Sequence, residues 1–142
     1  MAMNRNTWFA IVATIAVVAV VILGFRVLGG PGTQRMIQSD LRTVRTLAEL
    51  AQQINQKWVF SGRVLPANLE EFPDSVKQDP VTHNSFVYRP KSNSEYELCA
   101  TFATYSRDLQ AQNINDPWAH SKGDHCFQFD ASQQVQPVPY YY

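Results

Sequence analysis

The chain has 142 residues, 45% of them hydrophobic, with 12 basic and 12 acidic side chains and no net charge. That length holds one modest domain plus an anchor. The balanced charge, with no basic face interleaved with aromatics, argues against nucleic acid and against electrostatic capture of an acidic substrate.

The apolar residues are concentrated at the N-terminus, where WFAIVATIAVVAVVILGFRVL runs from Trp8 to Leu28 with no charge before Arg26. A tilted helix needs roughly 20 such residues to cross a bilayer. Trp8 suits an interfacial aromatic at one end, and Arg26 can snorkel to the headgroups at the other. A cleaved secretory signal has a shorter apolar region followed by a small-x-small site; here FRVLGGPG follows. A retained transmembrane helix over 8–28 is therefore expected, behind a short tail over 1–7. Ala10, Ala13, Ala16 and Ala19 recur at a spacing that permits close helix approach, although alanine is also an ordinary helix former.

GGPG, residues 29–32, is expected to break the helix and serve as a linker. A second helical pattern runs from about Thr33 to Trp58. Ile37, Leu41, Val44, Ala48, Ala51, Ile54 and Trp58 form one apolar stripe, while Gln38, Arg42, Arg45, Glu49, Gln52 and Gln56 cover the rest. The stripe predicts a helix that covers a sheet. Ser61-Gly62 closes it. RVLPANLEEF then reads as a turn and short helix, with Asn68 as cap and Glu70 and Glu71 in the first turn, where the helix dipole favours acids. Capping accounts for this acidic pair without an acid–base role.

Three short antiparallel strands are predicted at 85–89, 95–104 and 125–130, with KSNS (91–94) as a hairpin connection. Alternation puts Tyr96, Leu98, Ala100 and Phe102 under the long helix, and Glu95, Glu97, Cys99 and Thr101 on the other face. Residues 105–124 read as a long polar connection. The tail, ASQQVQPVPYYY over 131–142, favours extended backbone. It is either a frayed end or a strip lying along another protein with Tyr140, Tyr141 and Tyr142 as anchors.

Cys99 and Cys126 are the only two cysteines. A disulfide between them would remove roughly 3–4 kcal/mol worth of freedom from the unfolded chain and requires an oxidising compartment. A metal site drawn from His120, His125, Cys126, Cys99 and His83 lacks paired-ligand spacing. A catalytic thiol would need a base, and His125, adjacent to Cys126, points to the opposite strand face. Ser94, His120 and Asp124 assemble a triad only on paper, with no nucleophile elbow. The disulfide is the reading adopted, with the folded part outside the reducing interior. Arg26, Arg35, Arg42 and Arg45 follow the apolar run and only Arg5 precedes it, so loop charge alone points the other way.

Leu65-Pro66 with Leu69, Asp79-Pro80 with Phe86 and Tyr88, and Tyr96-Glu97-Leu98 resemble motifs in the globular domain of the major pseudopilin of type II secretion systems. The block from about Gln38 to Phe127, with ELCATF and HCF, is also similar to small single-span bacterial membrane proteins carrying such a domain. The resemblance implies a membrane helix, an amphipathic helix and a small antiparallel sheet. The N-terminus lacks the family's glycine-ended basic leader and the glutamate that registers subunits in a filament, so the resemblance implies a fold and not a filament.

The expected fold is thus α+β, with a domain over 33–130 placed in the periplasm or outside, anchored in the cytoplasmic membrane. The expected function is a non-enzymatic accessory or scaffolding subunit of a respiratory, photosynthetic or secretion complex. Its expected partners are lipid and other membrane subunits, with no cofactor, metal, small-molecule substrate or nucleic acid. The alternative is a pseudopilin-like component of a secretion or pilus machine; a metal- or ligand-binding sensor is a third class.

Overall fold

A computed structural model describes residues 5–28, 31–106 and 116–138. The chain divides into two units, 1–35 and 36–142. The first contains α1, Arg5–Leu28. Its stretch Thr7–Arg26 is long and apolar enough to cross a membrane, a test that a signal sequence also passes, and none of its most apolar window is buried within the chain.

Helix α2 spans Pro31–Phe60. Its start corrects the expected 29–32 linker, because Pro31 and Gly32 already belong to the helix. Proline is tolerated in the first helical turn, where its missing N–H has no intrahelical partner and its fixed φ suits the helix. At the other end the expected stop holds. Gly62 adopts φ 72°, and the Arg63 N–H reaches back to the Trp58 carbonyl at 2.9 Å, the six-to-one bond of a Schellman cap.

The second unit is built on the core-facing side of α2. Val44, Leu47, Ala48, Leu50, Ala51, Ile54 and Trp58 are buried, whereas Ile37 and Leu41, at the upstream end of the predicted stripe, are only half-buried. They pack over a three-stranded antiparallel sheet in chain order: β1 (Val87–Pro90), β2 (Glu95–Phe102) and β3 (Gly123–Asp130). Tyr96, Leu98 and Phe102 are buried under the helix as alternation requires, and Ala100 is half-buried. The Tyr96 hydroxyl contacts the Ala51 carbonyl at 3.2 Å and Asn55 Oδ1 at 2.7 Å. Trp58 Nε1 donates to the Asn93 carbonyl at 2.8 Å, tying the end of α2 to the β1–β2 turn.

Three other expectations need correction. The predicted short helix after Asn68 is absent: Asn68 Oδ1 accepts from the Glu70 N–H in a local turn, and the helical turn α3 comes later, at Asp74–Lys77 after Pro73. Glu71 pairs with Lys57 instead of sitting in a helix N-terminus. The connection over 105–124 is not simply polar, because Trp118 and His120 are buried. The tail does pack up to residue 138. Ala131 is buried and Val135 and Val138 lie against the core, the Gln133 carbonyl accepts from Asn55 Nδ2 at 2.9 Å, and the Gln136 carbonyl from Trp118 Nε1 at 3.0 Å. Half-burying two valines and satisfying an indole donor hold the segment against its own domain.

Candidate functional site

The pairing of β2 with β3 sets Cys99 directly opposite Cys126, with Cα atoms 4.0 Å apart and the sulfurs bonded at 2.06 Å. So short a Cα separation marks the non-hydrogen-bonded type of antiparallel pair. It follows that Asp124, Cys126 and Gln128 turn their backbone groups outward, while Phe127 and Phe129 turn theirs toward β2. Cys126 is exposed, Cys99 nearly buried. Around them the face turned away from α2 is polar. Thr101 Oγ1 donates to Asp124 at 2.6 Å, and Lys91 pairs with Glu97 at 2.5 Å.

The histidines do not join this face. His120 stacks on Phe102 at 3.9 Å between ring centroids, and His125 meets the edge of Phe127 at 4.8 Å. Phe102 and Phe127 both belong to the core side. His83 occupies a turn with φ 58°. The ligand set weighed from sequence is therefore split across the sheet. Glu97 does bring a carboxylate near Cys99 and Cys126, but the bridge consumes both thiols, leaving a metal one carboxylate. The paper triad is split in the same way, with Asp124 on the outer face and His120 in the core.

Burial holds the His120 imidazole below its usual pKa, against the opposing influence of the Ser121 carbonyl and the carboxylates of Asp40 and Asp116, while nearby His125 adds to the lowering. Burial also lowers His125. Both rings are packing groups at neutral pH.

Two buried carboxylates, neither read from sequence as an anchor of the fold, clamp α2 to the loops. The oxygens of Asp40 accept from the N–H of Ala103 (2.9 Å) and from the N–H and hydroxyl of Thr104 (2.8 and 2.6 Å). Asp79 accepts from Thr43 Oγ1 at 2.5 Å and from the N–H groups of Val81 and Thr82 at 2.8 and 2.7 Å. Burial pushes the Asp79 carboxyl up, but these hydrogen bonds outweigh it and its pKa lies below the ordinary value. Asp40 falls at the edge of the apolar stripe, three and four positions from Thr43 and Val44. An acid on a buried helix face is the signal that would have found it, since such a charge persists only when paired or hydrogen-bonded.

A groove of about 420 Å³ opens beside β2 and the start of β1, lined in part by Asp79, Arg89, Thr101, Asp124 and Cys126. Its acids are already engaged, Asp79 by Thr43 and two backbone donors, Asp124 by Thr101. A general acid or base must reach a substrate proton; both Asp79 oxygens are spent on the fold, and Asp124 Oδ1 accepts from Thr101. Tyr140, Tyr141 and Tyr142 lie outside the described residues. Trp8 is half-exposed, edge-on to Phe9 at 5.7 Å, and Arg26 is exposed in the last turn of α1. Eighteen residues of helix separate them, about 27 Å of rise, close to the thickness of a hydrocarbon core.

Compared with known protein families, with curated proteins and with solved structures, the chain finds no match in any of the three.

Proposed function

We propose that this chain is a non-enzymatic accessory subunit of a larger membrane complex, held by α1 as a single span, with its α+β domain on the oxidising side of the cytoplasmic membrane. The observation that carries this reading is the surface of α1. Ile15, Val17, Val20, Leu23 and Phe25 are each at least 60% exposed, and no part of the most apolar window is covered by the chain itself. Water disfavours so much apolar area; lipid and neighbouring membrane helices accept it. The Cys99–Cys126 bridge supports an oxidising compartment, and the engaged carboxylates and core histidines support a non-catalytic role. Neighbouring members of the series Ala10, Ala13, Ala16 and Ala19 give other spans points of close approach along α1.

Extraction from native membranes in mild detergent, followed by identification of what co-purifies, tests the proposal. Recovery with stoichiometric membrane subunits is expected, and recovery as a lone monomer would overturn it. Alkylation of intact spheroplasts with and without reductant tests the compartment, since the bridge predicts thiols that react only after reduction.

The antiparallel sheet in chain order beneath a long helix favours a second reading, a pseudopilin-like component of a secretion or pilus machine. Mass spectrometry of the mature N-terminus separates the two: a shortened, N-methylated terminus supports the second reading and an intact one the first.

A further inference from the structure

The face of α2 opposite the sheet carries Arg35, Arg42 and Arg45. Spacings of seven and three residues place them on one side of a helix, opposite the buried Leu47, Ala51 and Ile54. All three are exposed, and none has a carboxylate partner among the described residues. The ion pairs found there use lysines instead: Lys57 with Glu71, Lys77 with Asp74 and Lys91 with Glu97. The one acid within this stretch, Asp40, spends both oxygens on Ala103 and Thr104, so it does not offset the arginines. Glu49 is the first acid on the same face, one turn beyond Arg45.

We propose that this face docks on the anionic phospholipid headgroups of the bilayer that receives α1. The inference rests on the reading of α1 as a membrane span. Charge complementarity supports it, because basic side chains within a Debye length of an anionic surface are drawn to it. The side-chain chemistry supports it too: guanidinium groups bind phosphate through paired, parallel hydrogen bonds where ammonium groups act as point charges. Continuity along the chain adds a third argument. Arg26 closes α1, α2 begins at Pro31, and the basic face occupies the half of α2 nearest that junction. Docking there also gives the arginines that follow the span a role on the outward side, so their charge need not signal a cytoplasmic domain.

The test uses the full chain in nanodiscs of phosphatidylcholine alone or mixed with phosphatidylglycerol. Arginine modification by phenylglyoxal is followed by peptide mass spectrometry. Arg89, exposed on the sheet face turned away from α2, is the internal reference. Phosphatidylglycerol should slow labelling of Arg35, Arg42 and Arg45 about fivefold each, raised salt should reverse the effect, and Arg89 should label equally in both discs. In an Arg42→Gln/Arg45→Gln variant, Arg35 should label in mixed discs nearly as fast as in phosphatidylcholine. Equal labelling in the two lipids, or slowing of Arg89 by the same factor, would overturn the inference. Slowing seen in native membrane vesicles but not in mixed discs would assign the face to an acidic protein and also overturn it. Failure of the chain to enter nanodiscs at all would instead overturn the membrane reading, and this inference with it.

Discussion

Replacing Cys99 and Cys126 together by alanine removes a cross-link between strands whose register is otherwise complete from Glu95↔Asp130 to Phe102↔Gly123. Because the folded sheet keeps its ladder, the main loss falls on the unfolded state. A separation of 27 residues corresponds to a closure entropy of about 12 cal/mol/K, or about 3.6 kcal/mol at 25 °C. A domain of this size has a total stability of about 5–15 kcal/mol, and each kcal/mol moves its midpoint by about 4–8 °C. The double variant should therefore melt about 14–29 °C below the oxidised protein. Fluorescence reports the transition directly, since Trp58 and Trp118 are buried in the domain. Reducing the unmodified protein should give nearly the same midpoint as the double alanine variant. A shift under about 5 °C would refute the reasoning, because it would mean that the unfolded chain already keeps these strands together without the bridge.

Trp118→Ala should cost about 3–5 kcal/mol, since the indole is buried against Phe127 and Phe129 at 5.3 and 5.6 Å; chemical denaturation gives the value. Asp40→Ala should cost about 3 kcal/mol by stranding the N–H groups of Ala103 and Thr104, and faster amide exchange at those two positions should accompany it. His120 and His125 have pKa values lowered in the fold, so the unfolded chain binds more protons near the ordinary histidine pKa and stability rises with pH there. The melting midpoint should hold above the ordinary histidine value of about 6.5 and fall as the pH drops below it, and His120→Phe, which keeps a ring on Phe102, should flatten that fall.

Much of the architecture was legible because it is periodic. The stripe from Val44 to Trp58 and the alternation from Tyr96 to Phe102 repeat at the two intervals that backbone geometry imposes, and both face the core as expected. The cysteine pairing was legible for a different reason, since two thiols on neighbouring strands leave little choice. Trp118 and His120 were not legible. They sit alone among polar residues with no period to mark them, although a tryptophan in a polar loop is itself a costly residue to leave in water. The misplaced helix near Asn68 came from reading a cap without its helix; Pro73 sets the later start. The engaged state of Asp40 and Asp79 depends on partners up to 64 positions away, a distance that no local pattern spans.

The clasp made by Asn55 with Gln133 and Trp118 with Gln136 has a practical corollary for anyone trimming or tagging this molecule. Ending the polypeptide at Asp130 would strip cover from Phe127 and Phe129 and leave the indole donor of Trp118 without its acceptor, inviting aggregation that has nothing to do with the bilayer. Topology reporters belong after Val138, where a fusion leaves both fastenings in place. A shorter fusion would report on damage to the domain instead of on its location.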